Sequence, residues 1–262
     1  MSKRINGTLS SRRSFSGGVV AAALLAVVVS AAMTGCKAQP ADLNEPSKMV
    51  FPGRGADAKA FGYTRDGNWA MSQGRFVDAL EAYTLALSYQ PEDADAHYGA
   101  GQCLLALGNP ADAVMHLRIA YDEAWARRTE SFDKAGYLAE ALQRAGRCEE
   151  AVIFLEQRAM AGGSMPEYLR WAEYAAKCND PDMAERVYLM AIRLDDGDLA
   201  EAYYRFGLFY EQVGNIDGAM KRWRQAYGLD PNDPAILDGL SRYVQVVGPT
   251  LKLPPDRPGS DM

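Results

Sequence analysis

The sequence predicts an all-α fold: a solenoid of about five helical hairpins closed by a C-terminal capping helix. Three observations lead there. Alanine is abundant through the middle of the 262-residue chain while proline gathers near its two ends, so helices occupy the centre. Segments with similar endings recur, as in "AYTLALSYQP" (82–91), "MAIRLDD" (190–196) and "QAYGLDP" (225–231). An alanine that follows a turn residue and a short acidic stretch returns at Ala79, Ala113, Ala151, Ala184 and Ala219, at separations of 34, 38, 33 and 35 residues.

Residues 1–35 read as an export signal. Lys3, Arg4, Arg12 and Arg13 form a basic region, and "VVAAALLAVVVSAAM" (19–33) is an apolar run shorter than the ~20 residues that a membrane-spanning helix needs. "MTGC" (33–36) resembles the bacterial lipobox, with Met33 where that motif prefers leucine. The resemblance implies cleavage before Cys36 and a lipid on its sulfur; a plain secretory signal cut elsewhere is the alternative. "SRRSF" (11–15) resembles the twin-arginine export motif at Arg12, Arg13 and Phe15, the general secretory route being the alternative. Lys37 stands where lipoproteins retained on the inner membrane tend to carry aspartate, which points to the outer membrane. The implied location is the periplasmic face of a bacterial envelope. Removing the four basic residues of 1–35, a stretch with no acidic residue, takes the net charge from −6 to −10. A domain that acidic lacks the basic face that nucleic-acid backbones require. Residues 36–59 read as a proline-containing tether.

Five units follow, at 60–93, 94–127, 132–165, 165–198 and 200–233. Each is two amphipathic helices around a tight turn. Gly74, Gly108, Gly146 and Gly214 sit at four of the turns, where a left-handed residue is needed, and Asn179 serves the fourth unit. In the second helices Tyr83, Leu117, Leu155, Tyr188 and Trp223 share one register and fill space between units. Ala86, Ala120, Ala191 and Ala226 share another and let helices approach closely; Arg158 takes that place in the third unit. One hairpin cannot bury its apolar stripe, so the units must stack. The separation of 38 marks an insertion around "EAWARRTESF" (123–132), whose Trp125 reads as a packing residue. Asp233 and Pro234 start a capping helix over 234–247, and residues 248–262, rich in proline and glycine, read as a disordered tail.

A period near 34 residues with this pattern resembles the tetratricopeptide repeat. First-helix residues agree: Tyr203, Phe206, Gly207 and Tyr210 in the fifth unit, and His97, Ala100, Gly101 and Leu104 in the second. The resemblance covers about 60–233 and implies a right-handed superhelical solenoid whose first helices line a concave groove that binds proteins. Carried onto this chain, the family's groove positions are Phe61, Asn68 and Met71; Asp95, Tyr98, Gln102 and Leu105; Asp133, Glu140, Gln143 and Arg144; Leu169, Glu173 and Lys177; and Glu201, Tyr204, Leu208, Glu211 and Gln212. Carboxylates outnumber Arg144 and Lys177 there, so the expected groove is acidic, with a solvated charged face as the alternative. Thr64, Asp133 and Tyr137 occupy places where some members carry a basic clamp for a terminal carboxylate, so that ligand is not expected.

Reactive constellations are scarce. No glycine-rich phosphate loop, nucleophile elbow or metalloprotease motif occurs, and His97 and His116 have no sequence partner that suggests a metal or a triad. No enzyme activity, cofactor or metal is expected. Cys148 opens one helix and Cys178 closes another, so in an oxidising compartment they can pair, or remain two small buried thiols; Cys103 stays free and buried. The functional expectation is a membrane-anchored scaffold that binds an envelope protein. The alternatives are a pilotin-like assembly factor for a type IV or tight-adherence pilus or its secretin, and a regulator of a cell-wall enzyme.

Overall fold

The computed structural model describes residues 54–129, 132–194, 199–244 and 246–256. Eleven α-helices follow in order: α1 Arg54–Ser72, α2 Phe76–Tyr89, α3 Ala94–Ala106, α4 Pro110–Ala126, α5 Phe132–Arg144, α6 Cys148–Gly162, α7 Met165–Lys177, α8 Pro181–Leu194, α9 Ala200–Gln212, α10 Ile216–Leu229 and α11 Pro234–Ser241. No strand is present among the described residues. Helices α1–α10 form five antiparallel hairpins that stack into an all-α superhelical solenoid, each hairpin packing on the next.

Every hairpin turns in the same way. In the first, the Arg75 amide reaches back to the Ala70 carbonyl at 3.0 Å and the Gly74 amide to Met71 at 2.9 Å. This paired closure satisfies carbonyls left open at a helix end and needs one left-handed residue. The same two bonds recur at Gly108, Gly146, Asn179 and Gly214, and all five residues have positive φ, from 63° at Asn179 to 82° at Gly108.

Packing depends on a large residue facing small ones. Ala79, Ala113, Ala151, Ala184 and Ala219 are wholly buried, as are Tyr83 and Trp223. Tyr83 lies between Gly67 of α1 and Gly99 of α3, sixteen residues to either side. A methyl group at Gly67 would lie 2.8 Å from its ring, and one at Gly99 only 2.2 Å. Trp223 sits likewise between Gly207 and Gly239, and Leu117 against Gly101. The third and fourth units put Ala139 and Ala172, both fully buried, in the equivalent first-helix places. The second helices of the first, second and fifth units thus press a wedge into a gap that a bulkier residue would close.

Two irregularities explain each other. The insertion lengthens α4 to 17 residues, against 14 in α2, α8 and α10, and carries Trp125 with it. Trp125 stacks on Tyr121 and is 49% exposed. The Arg158 guanidinium lies 4.8 Å from its ring and 2.8 Å from the Glu167 carboxylate. Arg158 therefore occupies an alanine register because a ring and a carboxylate meet it at the junction of the third and fourth units. At the opposite end of the same helix pair Cys148 and Cys178 are joined as a disulfide, with their Cα atoms 5.5 Å apart, tying α6 to α7. Cys103 is buried, and burial pushes its thiol up to about 11.

The ends depart from the sequence expectation. α1 begins at Arg54, inside the stretch read as tether, because Ala56 and Ala60 are buried in line with Thr64. The capping helix stops at Ser241, short of 247, although Ile236 and Leu240 are fully buried. Tyr243 instead stacks on Trp223 and donates to Glu211 at 2.7 Å. Residues 249–256 are not loose: a short 3₁₀ turn, Pro249–Leu251, leads into an extended segment bound along α10. The export signal, Cys36, the tether up to residue 53 and the tail from 257 lie outside the described residues.

Two outcomes follow from this packing. Gly207→Val, which drives a branched side chain into Trp223, should cost about 1–3 kcal/mol. The melting temperature followed by circular dichroism should then fall by ~2–4 °C per kcal/mol for a domain of this size. Reduction of the Cys148–Cys178 bond should remove roughly 2–4 kcal/mol. Melting of a Cys148→Ser, Cys178→Ser chain should no longer respond to reductant.

Candidate functional site

The first helices lie side by side, and the edges of α1, α3 and α5 form an open cleft of about 610 Å³. α1 supplies Phe61, Thr64, Arg65, Asn68 and Met71, and α3 supplies Asp95, Tyr98 and Gln102. Gln90 and Asp93 come from the turn before α3, and Lys134 from α5. The turn is fastened on both sides. Asp93 caps α3 by accepting from the Asp95 and Ala96 amides at 3.0 and 3.1 Å, and it accepts from the Thr64 hydroxyl at 3.2 Å.

The lining combines exposed apolar surface with oriented polar groups. Phe61 is 71% exposed. Asn68 accepts from the buried Tyr83 hydroxyl at 2.6 Å, which fixes its carbonyl and leaves its amide nitrogen for the cleft. Tyr98 packs edge-on against Tyr137 at 5.6 Å and carries the Lys134 ammonium 4.8 Å from its ring centre. Burial, followed by Tyr137 and Asp133, pushes the Tyr98 phenol up to about 12 against the opposing pull of Arg170, so it stays a neutral donor. Asp95 makes no ion pair among the described residues.

Of the residues expected in the groove, Phe61, Asn68, Met71, Asp95, Tyr98 and Gln102 meet in this cleft. Those of the last three units do not join it. Leu169 is 1% exposed and belongs to the core, as does Leu105, so neither presents a surface. Leu169 shares its register with Tyr98 and Tyr204, at the seam between adjacent first helices. A tyrosine reaches out of that seam and a leucine remains beneath it. Tyr204 and Leu208 are half-buried against the core.

The expected acidity is largely cancelled. Glu140 pairs with Arg144 at 3.1 Å. Glu173 and Glu201 share Arg205 at 2.6 and 2.8 Å, and Glu211 pairs with Arg242 at 2.7 Å. Arg205 and Arg242 lie one helix away from their main partners and could not be matched to them by local spacing. Lys177 rests against the Tyr174 ring, and Gln143 is half-exposed.

Sequence reasoning left the histidines unpaired, yet the two imidazoles meet. His97 Nδ1 and His116 Nδ1 are 2.8 Å apart, and His97 Nε2 lies 2.9 Å from the Pro91 carbonyl. The pair links α4 to the turn that carries Gln90 and Asp93. Their separation of 19 residues gave no local clue; the signal available was that both belong to one hairpin.

Comparison with known proteins adds two local matches to one repeat family. Residues 67–128 match one tetratricopeptide-repeat model and residues 200–233 match another. No curated protein matches the chain. Among solved structures, the type IV pilus biogenesis factor PilW is similar at a TM-score of 0.53 and 16% identity, over 71% of this chain and 85% of that one. A MamA structure is similar at a TM-score of 0.50 and 22% identity, over 73% and 98% of the two chains. MamA from Desulfovibrio magneticus RS-1 matches at 0.50 and 16%, over 67% and 97%. At these identities the likeness is one of fold.

The histidine pair generates a pH prediction. Burial first, and then His97, lower the His116 imidazole below its ordinary 6.5, with Asp112 pulling the other way. The folded chain favours neutral His116, so this stability is complete above the unfolded value and is lost as pH falls through the folded one. Melting at pH 5.5 should occur at a lower temperature than at pH 7.5, and His116→Gln should shrink the difference.

Proposed function

We propose that this chain, whose residues 67–128 and 200–233 match tetratricopeptide-repeat models, is a scaffold for protein–protein interaction that is lipid-tethered to a bacterial envelope membrane and holds an extended segment of another envelope protein. The reading rests on the cleft of α1, α3 and α5. Phe61 and Tyr98 offer apolar surface for anchoring side chains, and Asn68 and Gln102 offer amides that fix orientation. Asp95 gives the cleft a carboxylate for a basic group on the partner. The partner is thus an extended segment with apolar side chains and one cationic residue, rather than a polybasic one, because the carboxylates further along are already paired within the chain.

The tether rests on the sequence: the basic and apolar regions of 1–35, Cys36 after Thr34 and Gly35, and Lys37 in place of the aspartate that favours inner-membrane retention. Among the described residues no helix is long and apolar enough to cross a membrane. A second reading is assembly of a type IV or tight-adherence pilus or its secretin. The fold in common with PilW favours it at the level of architecture alone. Secretin and pilin genes beside this one would support that reading.

The test is cross-linking of the tagged full-length chain in its own membrane. Phe61→Ser with Asp95→Lys should reduce capture of the partner by ~10-fold or more. Glu140→Gln with Glu211→Gln should leave it within about twofold, as exposed ion pairs contribute little. The opposite pattern would move the site to the later units. Mass spectrometry of the mature N-terminus should find lipid on Cys36, and an unmodified cysteine would remove the tether.

A further inference from the structure

The fifth unit differs from the other four along one stripe of its second helix. Three, six and nine residues after the aligned alanine it carries Arg222, Gln225 and Gly228. The corresponding residues are Val187, Met190 and Arg193 in the fourth unit, and His116, Ile119 and Asp122 in the second. No other unit has an arginine at the first of these places or a glycine at the last.

The chain's own extended segment lies on that stripe. The Leu253 amide donates to the Arg224 carbonyl at 3.1 Å, and Arg224 Nε returns a bond to the Leu251 carbonyl at 2.9 Å. Gln225 Nε2 donates to the Pro254 carbonyl at 3.2 Å and to Asp256 Oδ1 at 2.8 Å. Arg222 Nη1 donates to the other Asp256 oxygen, and the Asp256 amide donates to the Tyr203 hydroxyl at 2.8 Å. Gly228 makes the approach possible, since a methyl group there would lie 2.4 Å from the Leu253 carbonyl oxygen. The Arg222 guanidinium is buried, stacked 4.6 Å from the Phe206 ring centre, and Asp256 is its one ion-pair partner among the described residues.

These contacts make a receptor for a peptide rather than a chance resting place. Four backbone groups of the segment, the carbonyls of Leu251 and Pro254 and the amides of Leu253 and Asp256, are each read by a group on α9 or α10. Pro254 and Pro255 hold the bound stretch extended before it is bound, which lowers the entropy lost on docking. The carboxylate is met by a charged donor and an amide donor placed one helical turn apart on α10.

We propose that the outer face of α9 and α10 is a second peptide-docking site, separate from the cleft, that takes an extended proline-containing segment ending in aspartate and is occupied by residues 251–256 as a displaceable latch. Asp256 is the anchor of the latch, and Gly228 is the opening through which its backbone enters. A matching segment offered from outside competes with the resident one, at the disadvantage of lacking its covalent tether.

The full-length chain allows two measurements. Gly228→Ala should keep the helix, alanine being the better helix former, yet block the Leu253 carbonyl. Trypsin should then cut after Lys252 at least ~10-fold faster than in the parent chain, because cleavage follows the population of the open segment. Equal cleavage of the two chains would overturn the latch. The second measurement uses a fluorescent peptide of sequence GPTLKLPPD. It should bind the Asp256→Ala chain, whose own latch has lost its anchor, ~10-fold more tightly than the parent. Adding Gly228→Ala to that chain should abolish the binding. Equal binding to the parent and the Asp256→Ala chain, or binding that survives the added alanine, would overturn the docking site.

Discussion

A large side chain on the second helices of the first, second and fifth units fills a gap left by glycines on the helices packed against it, and the rest of the solenoid depends on that fit. Tyr83 and Trp223 have glycine on both sides, and Leu117 has one against it. Because protein interiors are close-packed, a gap of this kind admits one residue size and one rotation of the helices. The rotation is inherited from unit to unit. It brings the edges of α1, α3 and α5 into line, so that residues more than thirty positions apart line one cleft.

Electrostatics divides the first helices into two regions. Toward the C-terminal end, Arg205 and Arg242 reach across from neighbouring helices and bind Glu173 and Glu211. These exposed pairs add little stability, but they remove charge that a partner would otherwise meet. In the cleft the polar groups are constrained differently. The Tyr83 hydroxyl holds Asn68, and Thr64 together with the α3 amides holds Asp93. Burial of a wedge and orientation of a ligand-facing amide are therefore joined in one residue, Tyr83.

The candidate site was legible in part. The helical register placed Phe61, Asn68, Asp95, Tyr98 and Gln102 on one surface, and the structure brings them together. It gave the same weight to Leu169, which is buried, because a register reports the direction of a Cα–Cβ bond and not the length of the side chain beyond it. The meeting of His97 with His116, and of Arg158 with Trp125 and Glu167, required the hairpins to be assembled first.

By itself the sequence determined the number of hairpins, the turns between their helices and the alanine registers along which they pack. Each of these is set by residues within about one repeat of one another, where turn chemistry and helical periodicity act. Only the tertiary structure decided which charges are cancelled, how far the first helix extends and where the C-terminal segment goes. Residues 249–256 have the composition of a loose tail, and nothing in their own sequence directs them to α10. They are ordered because Arg222 needs a carboxylate and Gly228 leaves room for a backbone, and both lie more than twenty residues away along the chain.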